Sequence, residues 1–198
     1  GNVLSNWVTA SDPFPDCTLP PTLNGSHGSN RALGGVRQTA ANTDVDALRL
    51  WLAEYAGSPH TLRNYRKEAV RLIGWATQGL GKALSSLNRE DLLVYESFLA
   101  NPSGDWIDPT LPRRGGRRRL LDGPLSPRSV RQAMGILSGL FGYLVAAGYL
   151  AGNPLALRRR RSESKSSRRS AVERYLDHAL WQSVLDYIDT MPPVSPRR

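Results

Sequence analysis

With 198 residues, 40% apolar content and a net charge of +9, the chain can bury one core of ordinary size and part of another. A single cysteine, Cys17, excludes an intramolecular disulfide framework and fits a reducing compartment. No apolar run is long enough to span a bilayer and no charged-then-apolar export signal opens the chain, so a cytoplasmic protein without a membrane partner is expected.

Residues 1–42 read as an extended or weakly ordered arm, punctuated by Pro, Gly, Asn and Ser, with Leu19, Leu23 and Leu33 available to pin it to a domain surface. The first helix is expected over about Asp44 to Ala56. Thr43 is its N-cap with Asp46 at the third helical position, Val45, Leu48, Leu52 and Tyr55 form its apolar stripe, and Gly57 is its stop. Ser58-Pro59 opens a second helix, cap then proline. Leu62, Tyr65, Ala69, Leu72, Ile73 and Ala76 follow the 3.6-residue period, and Gly79 and Gly81 end the helix.

Asn88 caps a third helix over roughly Arg89 to Ala100, carrying Leu92, Leu93, Tyr95, Phe98 and Leu99. Pro102 to Leu125 is a long irregular insertion with Trp106 and an arginine cluster, in which Arg117 to Leu121 could form one arm of a short hairpin. Ser126-Pro127 repeats the cap-proline signal and starts a fourth helix, about Pro127 to Ala147, with Val130, Met134, Leu137, Leu140, Phe141 and Leu144 facing inward. Four capped helices predict an all-α domain over residues 43–155, with the insertion at 102–125. A basic linker over 156–173 follows, and one further helix over about His178 to Thr190 lies within a last segment, 174–198.

The positive charge is concentrated. Arg113, Arg114, Arg117, Arg118 and Arg119 form one tract, and Arg158, Arg159, Arg160, Arg161, Lys165, Arg168 and Arg169 form another, opposed only by Glu163; the remainder of the chain is slightly acidic. Blocks of like charge repel themselves and are best used against a polyanion. Two helix faces extend this pattern. His60, Arg63, Asn64, Lys67 and Arg71 share one surface of the second helix, and Arg128, Arg131 and Ser138 lie among glycines on the fourth. These residues are the candidate DNA contacts. A solvated face on the second helix and close helix packing on the fourth are the competing readings.

Catalytic chemistry finds no support. His27, His60 and His178 stand far apart without partners at ligand spacing, and no phosphate-binding loop, dinucleotide fingerprint or nucleophile elbow occurs. No metal and no cofactor is expected.

Three segments together resemble a known arrangement: Thr61-Leu62-Arg63-Asn64-Tyr65-Arg66-Lys67-Glu68, Leu87-Asn88-Arg89-Glu90-Asp91-Leu92, and Tyr149-Leu150-Ala151-Gly152-Asn153-Pro154-Leu155. In this order they resemble the SAM-like core-binding N-terminal domain of phage-integrase-type tyrosine recombinases, over about residues 43–190, and the insertion resembles that of a proteobacterial subgroup. Arg174-Tyr175-Leu176-Asp177 and Trp181 resemble the opening of that family's catalytic domain. The resemblance implies a bacterial cytoplasmic protein that binds double-stranded DNA at a recombination or attachment site, with self-association on DNA left open. It also implies a chain without enzymatic activity of its own, because the family's catalytic Arg, Lys, His and Tyr set has no counterpart here. The alternatives are a complete non-catalytic DNA-binding regulator and a basic module that meets acidic proteins.

Overall fold

In the computed structural model, residues 19–110 and 119–158 are described. The further C-terminal helix, the basic tract beyond Arg158, Cys17 and the centre of the insertion lie outside them. The described residues are helical, with no strand and one isolated antiparallel bridge between Arg31 and Leu150. Four α-helices carry the fold: α1 (Asp44–Ala53), α2 (Pro59–Trp75), α3 (Arg89–Ala100) and α4 (Pro127–Ala146).

Local chemistry sets their starts. Thr43 Oγ1 accepts from Asp46 N at 3.3 Å at the head of α1. At α3, Asn88 and Asp91 satisfy each other's backbone N–H groups in a reciprocal capping box. Ser126 Oγ accepts from Ser129 N at 3.2 Å ahead of α4. Ser58 behaves differently. It makes no side-chain cap bond to the backbone, and its Oγ donates to Thr61 Oγ1 instead. The end of α2 widens into a π-helical turn, Ala76–Leu80, closed by Gly81 at φ 62°. This turn presents Gly79 to Trp106, where a Cβ would stand 3.2 Å from the indole.

Helix α4 is central and packs against each of the other three. Its inner face, Val130, Ala133, Met134, Leu137, Leu140, Phe141 and Leu144, is buried. Around it lie Leu48, Trp51 and Leu52 of α1, Leu72 and Trp75 of α2, and Leu92, Tyr95 and Leu99 of α3. Trp51 and Ala47 join the α1 stripe read from sequence, because that helix is covered on more than one side.

The described part of the expected extended or weakly ordered arm, residues 19–42, forms no helix or strand and is tied to the domain by backbone bonds. Asp44 N donates to Asn24 O, Asn30 N to Ser85 O, Ala32 N to Tyr149 O and Gln38 N to Ala147 O, all within 3.0 Å. Asn30 also clamps Gly152, donating from Nδ2 to its carbonyl at 2.8 Å and accepting from its N–H at 3.1 Å. Leu19 packs on the core as expected, whereas Leu33 is fully exposed and pins nothing. The insertion is likewise fastened at its base. Leu120 N and Leu121 N donate to Trp106 O at 3.1 and 3.5 Å, and Leu125 N to Leu99 O at 2.9 Å. Residues 119–121 form no hairpin strand; Leu120 packs instead against Gly74 of α2.

One buried carboxylate joins these segments. Asp44 is fully buried, accepts from Tyr149 Oη at 2.5 Å and from Ser85 N at 3.0 Å, and lies against Gly25. Gly25 has φ 81°, and a Cβ there would stand 2.0 Å from Asp44 Oδ1, so only glycine fits. Arg31 lies 4.0 Å above the Tyr149 ring and donates to Gly25 O at 2.8 Å and Asn42 O at 3.0 Å.

Burial raises the Asp44 carboxyl above its ordinary 3.8, against the opposing bonds from Tyr149 and Ser85 and the charge of Arg31. The folded state therefore holds this proton more tightly than the unfolded chain. The stability contributed by Asp44 protonation is fully present below pH 3.8, falls as pH rises through the raised folded value, and is constant above it. Asp44→Ala leaves two buried donors unpaired and is expected to cost about 2–4 kcal/mol at neutral pH. Urea midpoints measured against pH check both points: the variant should be less stable and should lack this part of the acid-side slope.

Candidate nucleic-acid interface

The α2 face read from sequence divides in two. His60, Arg63 and Lys67 are exposed, and Asn64 is half-buried with Nδ2 3.4 Å from His60 Nε2. Arg63 has no acidic partner among the described residues, and Lys67 stands 4.0 Å from Glu68. Arg71 shares their helical angle but is buried at 8% exposure and is withdrawn from the candidate face. The physical reason is the insertion, whose returning segment covers the C-terminal half of α2. Arg71 pairs with Glu68 at 3.0 Å and donates from Nε to Leu120 O at 3.3 Å. Burial raises the Glu68 carboxyl above its ordinary range, with the Arg71 charge opposing the shift. The Tyr95 hydroxyl, fully buried nearby, is pushed up by the same desolvation.

The two halves predict different phenotypes. Arg71→Ala strands Glu68 in the interior and should cost about 3–5 kcal/mol. Arg63→Ala and Lys67→Ala alter exposed positions and should stay within about 0.5 kcal/mol of the parent protein. Thermal denaturation of the three variants makes the comparison. Equal melting temperatures for all three would refute the assignment of Arg71 to the core.

The outer face of α4 combines arginine with glycine. Arg128, Arg131, Gln132, Gly135, Gly139, Gly142 and Ala146 are all exposed and fall on one helical stripe. A Cβ built at Gly135 or Gly139 meets nothing within 4 Å, and one at Gly142 meets only Asn153 Nδ2 at 3.9 Å. Close helix packing, one of the readings open from sequence, is therefore not what the small residues serve among the described residues. Ser138 is half-buried at the edge of this stripe, where its carbonyl accepts from Asn153 Nδ2 at 3.3 Å. Asn153 Oδ1 in turn accepts from Leu155 N at 2.8 Å, which fixes the turn that leaves α4.

The helix starts add a signal that the sequence carried unread. Ser58-Pro59-His60-Thr61-Leu62-Arg63 and Ser126-Pro127-Arg128-Ser129-Val130-Arg131 follow one pattern: Ser-Pro, a basic residue, a hydroxyl, an apolar residue, Arg. α1 and α3 place acids in their first turns, whereas α2 and α4 have none there. Cations near the positive end of a helix oppose its dipole by a few tenths to about 1 kcal/mol each.

In the basic tract, Arg158 is not a free linker cation. It folds back on α3 and pairs with Glu96 at 3.3 Å, with only 19% of its side chain exposed. Arg159, Arg160, Arg161, Lys165, Arg168 and Arg169 lie outside the described residues. Among the described residues no cluster of His, Cys, Asp and Glu could hold a metal ion, and no helix is long and apolar enough to cross a membrane. Comparison with family models, curated proteins and solved structures gave no match, so the functional reading rests on this geometry and on the resemblance of the sequence motifs.

Proposed function

We propose that this chain binds double-stranded DNA through the exposed parts of α2 and α4, as a SAM-like core-binding domain of the tyrosine-recombinase type serving site-specific recombination. The observation that carries the reading is the outer face of α4. Each glycine in a helix interior costs about 1 kcal/mol relative to alanine, and a Cβ at Gly135 or Gly139 would meet nothing within 4 Å among the described residues. A duplex supplies the missing reason: without side chains in the way, the sugar–phosphate backbone can approach the helix closely. Arg128 and Arg131, at the positive end of the same helix, attract phosphate where they would otherwise oppose the dipole.

His60, Arg63 and Lys67 extend the basic surface along α2, and the Arg-rich tract beyond Arg158 adds sequence-independent attraction. The reading assigns binding and not strand cleavage to the described residues. Tyr95 and Tyr149 are buried with their hydroxyls pushed above the ordinary range, and burial with a bond to Glu54 pushes Tyr143 up to about 12. A nucleophilic phenol needs the opposite shift.

Two measurements test the reading. Affinity for duplex DNA should fall linearly on a log–log plot against salt, and Arg128→Ala with Arg131→Ala should reduce that slope by about two. Gly135→Gln with Gly139→Gln should raise folding stability by about 1–2 kcal/mol while weakening duplex binding, because the longer side chains hold the backbone away. A variant that is more stable and binds equally well would remove the observation on which the reading stands.

A further inference from the structure

Three large apolar side chains are left exposed among the described residues: Leu33 at 101%, Val36 at 82% and Leu157 at 83%. Two of them sit three positions apart on one loop, Leu33-Gly34-Gly35-Val36, every residue of which is exposed. Isolated exposed apolar residues are ordinary; a pair at the tip of a loop braced from both sides is not.

The bracing is specific. Ala32 N donates to Tyr149 O at 3.0 Å on one side of the loop, and Gln38 N donates to Ala147 O at 2.9 Å on the other. Between these bonds the loop backbone rests on Gly148, which has φ 74° and where a Cβ would stand 2.8 Å from Val36 O. Arg37, beside the tip, donates from Nη2 to Ala41 O and is held in turn. Gly35, at φ 86°, turns the tip outward, and a Cβ at Gly34 or Gly35 would meet nothing within 4 Å. Ala147 and Gly148 directly follow the last residue of α4, so the loop stands at the C-terminal end of the exposed arginine–glycine stripe.

We propose that the Leu33–Val36 loop is an apolar wedge that enters the duplex beside the C-terminal end of α4 and kinks it; this rests on the DNA-binding reading. Two side chains fall far short of the roughly 800 Å² per partner that a stable protein interface buries. They match instead the small apolar wedges that separate adjacent base pairs. Unstacking a base step costs a few kcal/mol, so a wedge must already be ordered before it meets DNA. The backbone bonds at both ends of this loop supply that order. The net charge of +9 favours encounter of the chain with a polyanion.

The Leu33→Ala, Val36→Ala double variant tests the wedge without disturbing the core, since both side chains lie in solvent. A mixed-sequence duplex of about 30 base pairs, carrying a donor dye at one end and an acceptor at the other, reports bending by energy transfer. The parent protein should shorten the end-to-end distance by an amount matching a kink of roughly 20–90°. The double variant should bind with the same salt slope and the same melting temperature but leave the duplex nearly straight. Equal bending by parent and variant would overturn the wedge and leave the DNA-binding reading in place. Self-association of the parent that the variant loses, seen by sedimentation, would overturn it in favour of a contact between copies. A parent protein that fails to bind the duplex at low salt would overturn both.

Discussion

The fold depends on one buried acid. Asp44 lies at the start of α1, where a carboxylate normally faces solvent and offsets the helix dipole. Here it is turned inward and receives Tyr149 Oη and Ser85 N. Around it meet four segments distant in sequence: the arm at Gly25, α1, the short turn at Ser85, and the chain leaving α4 at Tyr149. Each contact constrains its partner. Gly25 must lack a side chain, Tyr149 must bring a hydroxyl, and Arg31 must cover the ring and satisfy Gly25 O. An apolar residue at position 44 would pack without choosing among these partners. The polar, directional group fixes which segments meet, so the chain enters and leaves the domain side by side.

That arrangement determines what surrounds α4. The arm passes the C-terminal end of the helix through Ala147, Gly148 and Tyr149, and the Asn30–Gly152 clamp holds the exit against it. The inner face of α4 is made of large residues packed on three helices, and its outer face is made of arginine and glycine open to solvent. The large residues secure the helix strongly enough that the glycines can be tolerated. A shorter or less central helix would fray at three interior glycines, which together cost about 3 kcal/mol.

Much of this was legible in the sequence where the determining chemistry is local. Thr43, Asn88 and Ser126 mark three helix starts within a residue because a cap is decided by its neighbours three positions away. Arg71 was misread because helical periodicity reports which residues share a face and says nothing of what later chain covers that face. The covering segment, Leu120-Leu121, comes 49 residues on and presents backbone carbonyls that no residue pattern advertises. The ties that hold the arm were hidden in the same way. Its order comes from backbone bonds to Ser85, Ala147 and Tyr149 and from the Asn30 clamp on Gly152, while its own composition reads as loop. Arg158 reads as one more cation in a tract, but its partner Glu96 lies 62 residues earlier on α3, beyond the reach of any local pattern.

What remains legible at the site, once these corrections are made, is a set of local costs without local returns. α2 begins with Ser-Pro and His60, α4 with Ser-Pro and Arg128, and neither has an acid in its first turn to balance the dipole. α1 and α3, in the same domain, follow the ordinary rule with Asp44, Asp46, Glu90 and Asp91. The contrast is therefore a property of two helices and not of the chain's composition. The outer glycines of α4 lie on one of those same two helices. A residue that lowers stability without a compensating contact inside the chain points to a contact outside it. A polyanion such as the proposed duplex would turn both departures into favourable terms at once, because it would meet the basic side chains near the positive helix ends and would use the bare backbone to come close.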